Sequence, residues 1–134
     1  MKTSLMVVTI FLIIGCHSAN SELKERISNA DSVAINYFRG DGSMDTVIAV
    51  KIIRDKMNID RLATFVSARS SQPNYTCGTD GSLHFFKMNK VIQDIDFRMD
   101  SADCKQFTFL QHGKLQASKL SEDAKKLLEE LRNK

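Results

Sequence analysis

The chain has 134 residues, with 19 Lys and Arg against 16 Asp and Glu, a formal net charge of +3, three cysteines and no tryptophan. That length bounds the fold to one small domain with a modest core. The charges are interspersed rather than blocked, which excludes a nucleic-acid footprint, and no internal period or low-complexity segment divides the chain.

Residues 5–15, LMVVTIFLIIG, form an apolar run behind MKTS, where Lys2 is the one cation. A bilayer core about 30 Å thick needs some 20 helical residues, so this run is too short to span it. A positive start, a short apolar centre and small residues at the exit describe a cleavable export signal. Two cuts are open. One falls before Cys16, where Ile13-Ile14-Gly15-Cys16 sets two aliphatics, a small residue and Cys in a row. This resembles the lipobox of bacterial lipoprotein precursors, although the commonest box begins with Leu and has a small residue second. The resemblance covers the leader alone. It implies a diacylglyceryl group on the Cys16 thiol, cleavage before that residue and, with His17 in place of Asp after it, delivery to the outer membrane. The other cut uses Cys16 and Ser18 as the small residues before an ordinary signal-peptidase site and releases a soluble, secreted product. On the first cut the chain divides into a signal over 1–15, a lipid-anchored tether over 16–22 and a single globular α+β domain over 23–134. Removing 1–15 takes away Lys2 and no acid, leaving +2 over 119 residues.

Beyond the polar tether, LKERISNA places Leu23 and Ile27 four apart, which suits a brief helix. SVAINYF alternates Val33, Ile35 and Tyr37 with smaller or polar residues, a half-buried strand. RGDGS gives a turn, with Asp41-Gly42 and Asp45 most simply part of a hairpin, and the β-branched TVIAVKII pairs back. Asp55 or Asn58 can cap a helix in which Ile59, Leu62, Ala63 and Val66 form one stripe, and SARSSQPN with Pro73 ends it.

The second half reads as a meander. A Thr-Asp-Gly-Ser turn is expected at 79–82, then a strand from Leu83 to Met88 and a tight reversal at Asn89-Lys90. In VIQDIDFRM, period two sets Val91, Ile95, Phe97 and Met99 on one face and Asp94, Asp96 and Arg98 on the other. KQFTFL carries Phe107 and Phe109 on a common face, QHGK turns and LQAS returns. Ser121 caps a last helix whose stripe is Ala124, Leu127, Leu128 and Leu131, with acids opening it and bases closing it. The sum is an α+β domain: an antiparallel sheet, ββα and then a β meander, with helices packed on it and a C-terminal helix.

Of the three cysteines, Cys77 and Cys104 remain once Cys16 is set aside, and in an oxidising compartment a lone pair is most economically a disulfide. No Cys-x-x-Cys is present, and His84 and His112 show no ligand spacing with the cysteines. Asp94, Asp96, Asp100 and Asp103 are dense enough to raise the question of an ion, but they match no calcium-loop spacing and strand alternation accounts for the first two. Neither histidine has a partner proposed by the sequence, and no Gly-x-Ser-x-Gly, His-Glu-x-x-His or phosphate loop occurs. Phe85 and Phe86 cannot both face inward from a regular strand, so one belongs to the far face. Asn74-Tyr75-Thr76 completes a glycosylation sequon, which carries meaning only behind a eukaryotic leader. The segment from Tyr75 to Ser82, with Cys104 ahead of Phe107 and Phe109, resembles small two-cysteine lipoproteins of unassigned role, which implies no activity.

These observations lead to a lipoprotein of the cell envelope, moored to the membrane through Cys16, whose domain binds an envelope protein or supports a complex without turnover. No catalytic, cofactor or metal residue is assigned. The rivals from other classes are a small periplasmic hydrolase or ligand carrier, which a deep pocket with a convergent His or carboxylate pair favours, and a secreted soluble protein cut near Ser18; an exposed apolar patch rimmed by polar residues, without such a pocket, favours partner binding.

Overall fold

The structure, a computed structural model, describes residues 19–40 and 46–134. The lipobox with Cys16, and the turn containing Asp41-Gly42 and Asp45, lie outside the described residues. In chain order the elements are α1 (Ser21–Ser28), β1 (Ser32–Phe38), β2 (Val47–Ile53), α2 (Lys56–Val66), β3 (Ser70–Ser71), β4 (Gly81–Lys87), β5 (Lys90–Arg98), β6 (Gln106–Gln111), β7 (Lys114–Lys119) and α3 (Glu122–Asn133). Among the described residues all strand pairings are antiparallel and build one seven-stranded sheet in the order β2-β1-β4-β5-β6-β7-β3. The fold is the expected α+β arrangement with a C-terminal helix.

Each helix begins on a side chain that accepts a hydrogen bond from a backbone N–H two or three residues on, as N-caps do. Asn20 receives Leu23 N, Asp55 receives Asn58 N and Ser121 receives Ala124 N. Helix α1 takes in Ser21 and Glu22, the last two residues of the segment read as a tether. Its amino end is tied down: Asn20 N donates to Ser67 O at 2.8 Å, and Asn20 Nδ2 donates to Gln111 Oε1 at 2.7 Å.

The three helical stripes meet the odd-numbered residues of the strands in one core. Leu23 and Ile27, Ile59 and Leu62, and Leu127 and Leu128 join Val33, Ile35, Leu83, Phe85, Ile95, Phe97, Phe107 and Phe109. Tyr37 is buried among them and donates its hydroxyl to Leu128 O at 2.6 Å, which fixes α3 to the sheet. Burial pushes the Tyr37 phenol well above its ordinary range, with Arg132 over the ring opposing the shift.

Four local features differ from the sequence expectation, each for a physical reason. The reversal after β4 has Met88 and Asn89 as its central residues, both at positive φ (51° and 62°), and Lys87 pairs with Lys90, so the turn lies one residue earlier than expected. Phe85 pairs with Gln93 but Phe86 with Val91, leaving Ile92 as a bulge. The extra residue reverses the alternation, so that Val91 shares the face of Phe86 and is 49% exposed while Ile95, Phe97 and Met99 stay in the core. Residues 79–82 are not a turn. Gly81 and Ser82 open β4 and pair on both sides, and a Cβ at Gly81 would fall 2.3 Å from Asn36 O and from the Phe97 ring, so the glycine is required by close approach. Lastly, the segment after α2 contributes a two-residue edge strand, β3, paired to β7.

Cys77 and Cys104 stand at disulfide distance with Cα atoms 5.7 Å apart, joining the loop before β4 to the connection between β5 and β6. Among the described residues no helix is long and apolar enough to cross a membrane.

Candidate functional site: the open face of the sheet

With all three helices on one side, the even-numbered residues of β1, β4, β5 and β6 form the other face. Its centre is polar. Asp94 lies directly across from His84, and Ser82 from Asp96, because the Ile92 bulge sets that register. His84 Nδ1 contacts Asp94 Oδ1 at 2.5 Å, while His84 Nε2 lies 3.0 Å from Ser82 Oγ and 3.2 Å from Asn36 Nδ2. The ring thus bridges a carboxylate and two side chains that can donate to it, and it holds Asp94 in one orientation.

The order Ser-His-Asp is that of serine hydrolases, where an oxyanion must also be stabilised by free donors. Here Ser82 is buried near the start of β4, and that strand is paired on both sides, to β1 and to β5. Its backbone N–H groups take part in the ladder on both sides.

Beside this cluster the face sinks into a hollow of about 360 Å³. Asp94 and Asp96 line it together with Thr108, and Val91, Leu110 and Leu115 supply apolar walls. Burial pushes the Asp96 carboxyl above the usual carboxylate range, with His84 pulling against that shift and Asp94 adding to it. On the far side the loop 72–79 rises over the sheet and bounds a second hollow of about 190 Å³, shared by Tyr75, Asp96, Arg98 and Gln106. Gln106 clamps this loop from below, accepting from Asn74 N at 3.1 Å and donating to Asn74 O at 3.0 Å, and the Cys77–Cys104 link holds its other end. Tyr75 stands at the rim, 78% exposed.

A buried carboxylate supports the site from the side. Asp80 accepts from Arg98 Nη1 at 2.8 Å, Met99 N at 2.7 Å and Asp100 N at 3.1 Å, which locks the end of β5.

The sequence-derived candidates therefore separate. Asp94 and Asp96 come together with His84. Asp100 turns away to Lys125 at 3.4 Å, Asp103 is exposed, and His112 pairs with Glu22 at 2.8 Å. Among the described residues no three His, Cys, Asp or Glu side chains gather to hold a metal. Phe85 is the inward member of its pair, and Phe86 lies half-buried on the open face. Sequence patterning gave no hint of Ser82 and Asn36 as partners of His84, since only the strand register brings them together. Compared with known protein families, curated proteins and solved structures, the chain matches none.

Proposed function

We propose that this chain is a lipid-anchored protein of the cell envelope that docks an envelope protein on the open face of its sheet, without turnover, and that the partner seats a basic side chain in the hollow above Asp94 and Asp96. Anchoring rests on the lipobox-like Ile13-Ile14-Gly15-Cys16, since two or three acyl chains hold a protein stably. Docking rests on one observation: two carboxylates line a hollow whose walls expose Val91 (49%) and Leu110 (63%), and Tyr75 (78%) stands at the neighbouring hollow that Asp96 also lines. Apolar and aromatic side chains around a charged floor match the anatomy of a binding patch. A lysine or arginine placed there offsets the desolvation that Asp96 suffers in the free protein.

The test is site-specific photo-crosslinking in intact cells. A crosslinker at Leu110 is expected to capture a partner in the membrane fraction, one at Lys126 on the helical side is not, and Asp94→Lys with Asp96→Lys should abolish the capture. Equal capture from both positions, or capture that survives the charge reversal, refutes the docking face. Intact mass of the same fraction tests the anchor: Cys16 bearing acyl chains is expected, and Cys16→Ala should leave the membrane.

A further inference from the structure

Strand β2 ends the sheet, and among the described residues no strand pairs with its outer side. It is seven residues long, with Ile48 as a bulge near its start, since Tyr37 pairs with Ala49 but Phe38 with Val47, and it runs regularly from Ala49 to Ile53; Val47, Ile48, Val50 and Ile52 are 47–56% exposed. A long edge strand of β-branched residues is a template for another strand, and proteins usually blunt such edges with charge, proline or brevity. The opposite edge is blunted in this way, β3 having only two residues, both serines. The β2 edge carries one charge, Lys51, on the helical face, where it pairs with Ile35.

We propose that β2 pairs antiparallel with β2 of a second copy of this chain, about a two-fold axis through Val50. The side chains favour that arrangement over one centred on the neighbouring Lys51. Facing residues in an antiparallel pair share a face, so the registers open to two identical strands are those centred on a single residue. Centred on Lys51, two like charges stand directly opposite each other, which is unfavourable. Centred on Val50, Lys51 meets Ala49 of the second copy, Val50 meets its counterpart, and Ile52 meets the Val47-Ile48 bulge in both directions. Every open-face contact is then apolar and β-branched. The same residues appear on both sides, as a two-fold interface demands.

The two-fold axis runs perpendicular to the sheet, so helices stay on one side and the two open faces merge into one. The apolar strip of β2 becomes the middle of a fourteen-stranded surface, with one Asp94/Asp96 hollow on either side. Strand pairing alone falls at the small end of interface sizes, so the dimer should dissociate on dilution. The pairing stands independently of the partner proposed above.

Sedimentation of the full chain in detergent over a range of concentrations tests it. The wild type is expected to pass from one chain to two, and Val50→Lys to stay at one chain with an unchanged circular-dichroism spectrum. In the dimer, Val50→Cys should oxidise to a disulfide that joins the peptide containing position 50 to itself, while Leu110→Cys should not. A wild type that is monomeric at every concentration overturns the proposal, as does a dimer that crosslinks through position 110 and not 50. Protection of the Val50→Cys thiol from alkylation in a monomer also overturns it, because another segment of the same chain then covers the edge.

Discussion

At the scale of single residues, two carboxylates, one buried and one half-buried, have opposite tasks. Asp80 is fully supplied with donors and fixes the end of β5. Asp96 is half-buried, and its burial raises its proton affinity above that of the unfolded chain. A carboxyl shifted upward binds its proton more tightly when folded, so its contribution to stability is greatest in acid and declines as pH rises from the unfolded value through the raised one. Asp96→Asn removes that decline. The variant should gain stability relative to the wild type as pH goes from acid to neutral, read from urea midpoints at a series of pH values. A difference that stays constant or narrows over that range contradicts the assignment. Glu122 has the opposite sign, since the hydrogen bond from Lys105 holds its carboxyl below the usual range.

At the scale of elements, the strands and helices were legible because alternation and the i, i+3, i+4 stripe are direct consequences of backbone geometry. Phases between elements were less so. Asn is a favoured residue at positive φ, and the sequence put Asn89 first in its turn; the chain instead places it second and leaves Met88 at φ 51°. Met88→Asn should relieve that strain and remove an exposed methionine, raising stability by about 0.5 kcal/mol. Chemical denaturation measures it, and a loss of stability would show that Met88 is held by packing. The phase matters for the site as well. An unbulged hairpin closing at Lys87 and Lys90 would set His84 against Gln93, and the extra residue Ile92 is what delivers Asp94 there. Nothing in the local sequence marks Ile92 as a bulge, so the His84–Asp94 contact could not be derived from alternation. Gly81 misled for a related reason: a glycine within Thr-Asp-Gly-Ser suits a turn, and only the neighbouring Asn36 carbonyl and Phe97 ring show that it is needed for space.

At the scale of the molecule, the sheet is a platform with helices below and a walled hollow above, and the wall is fastened covalently. Cys77 and Cys104 enclose the β4–β5 hairpin, at a sequence separation of 27. In the chain-entropy model, closing such a loop stabilises by about 3.5 kcal/mol. Replacing both cysteines by serine should lower the unfolding free energy by about that amount in denaturant titrations, while an unchanged value would mean that Gln106 holds the loop unaided. The pairing of these cysteines was readable from their number. That the link would wall the open face of the sheet was not, because that face is defined by where α1, α2 and α3 collect.

The fastening of Asn20 has a mechanical consequence. A protein held in a membrane by its amino end meets drag there first, and a free helix terminus would peel one turn at a time. Under the lipid anchor proposed above, the pull would enter at a residue bonded at once to Ser67, at the close of α2, and to Gln111, beside the β6–β7 turn. The load divides between two elements remote in sequence, both rooted in the core, and α1 yields only when both attachments give way together.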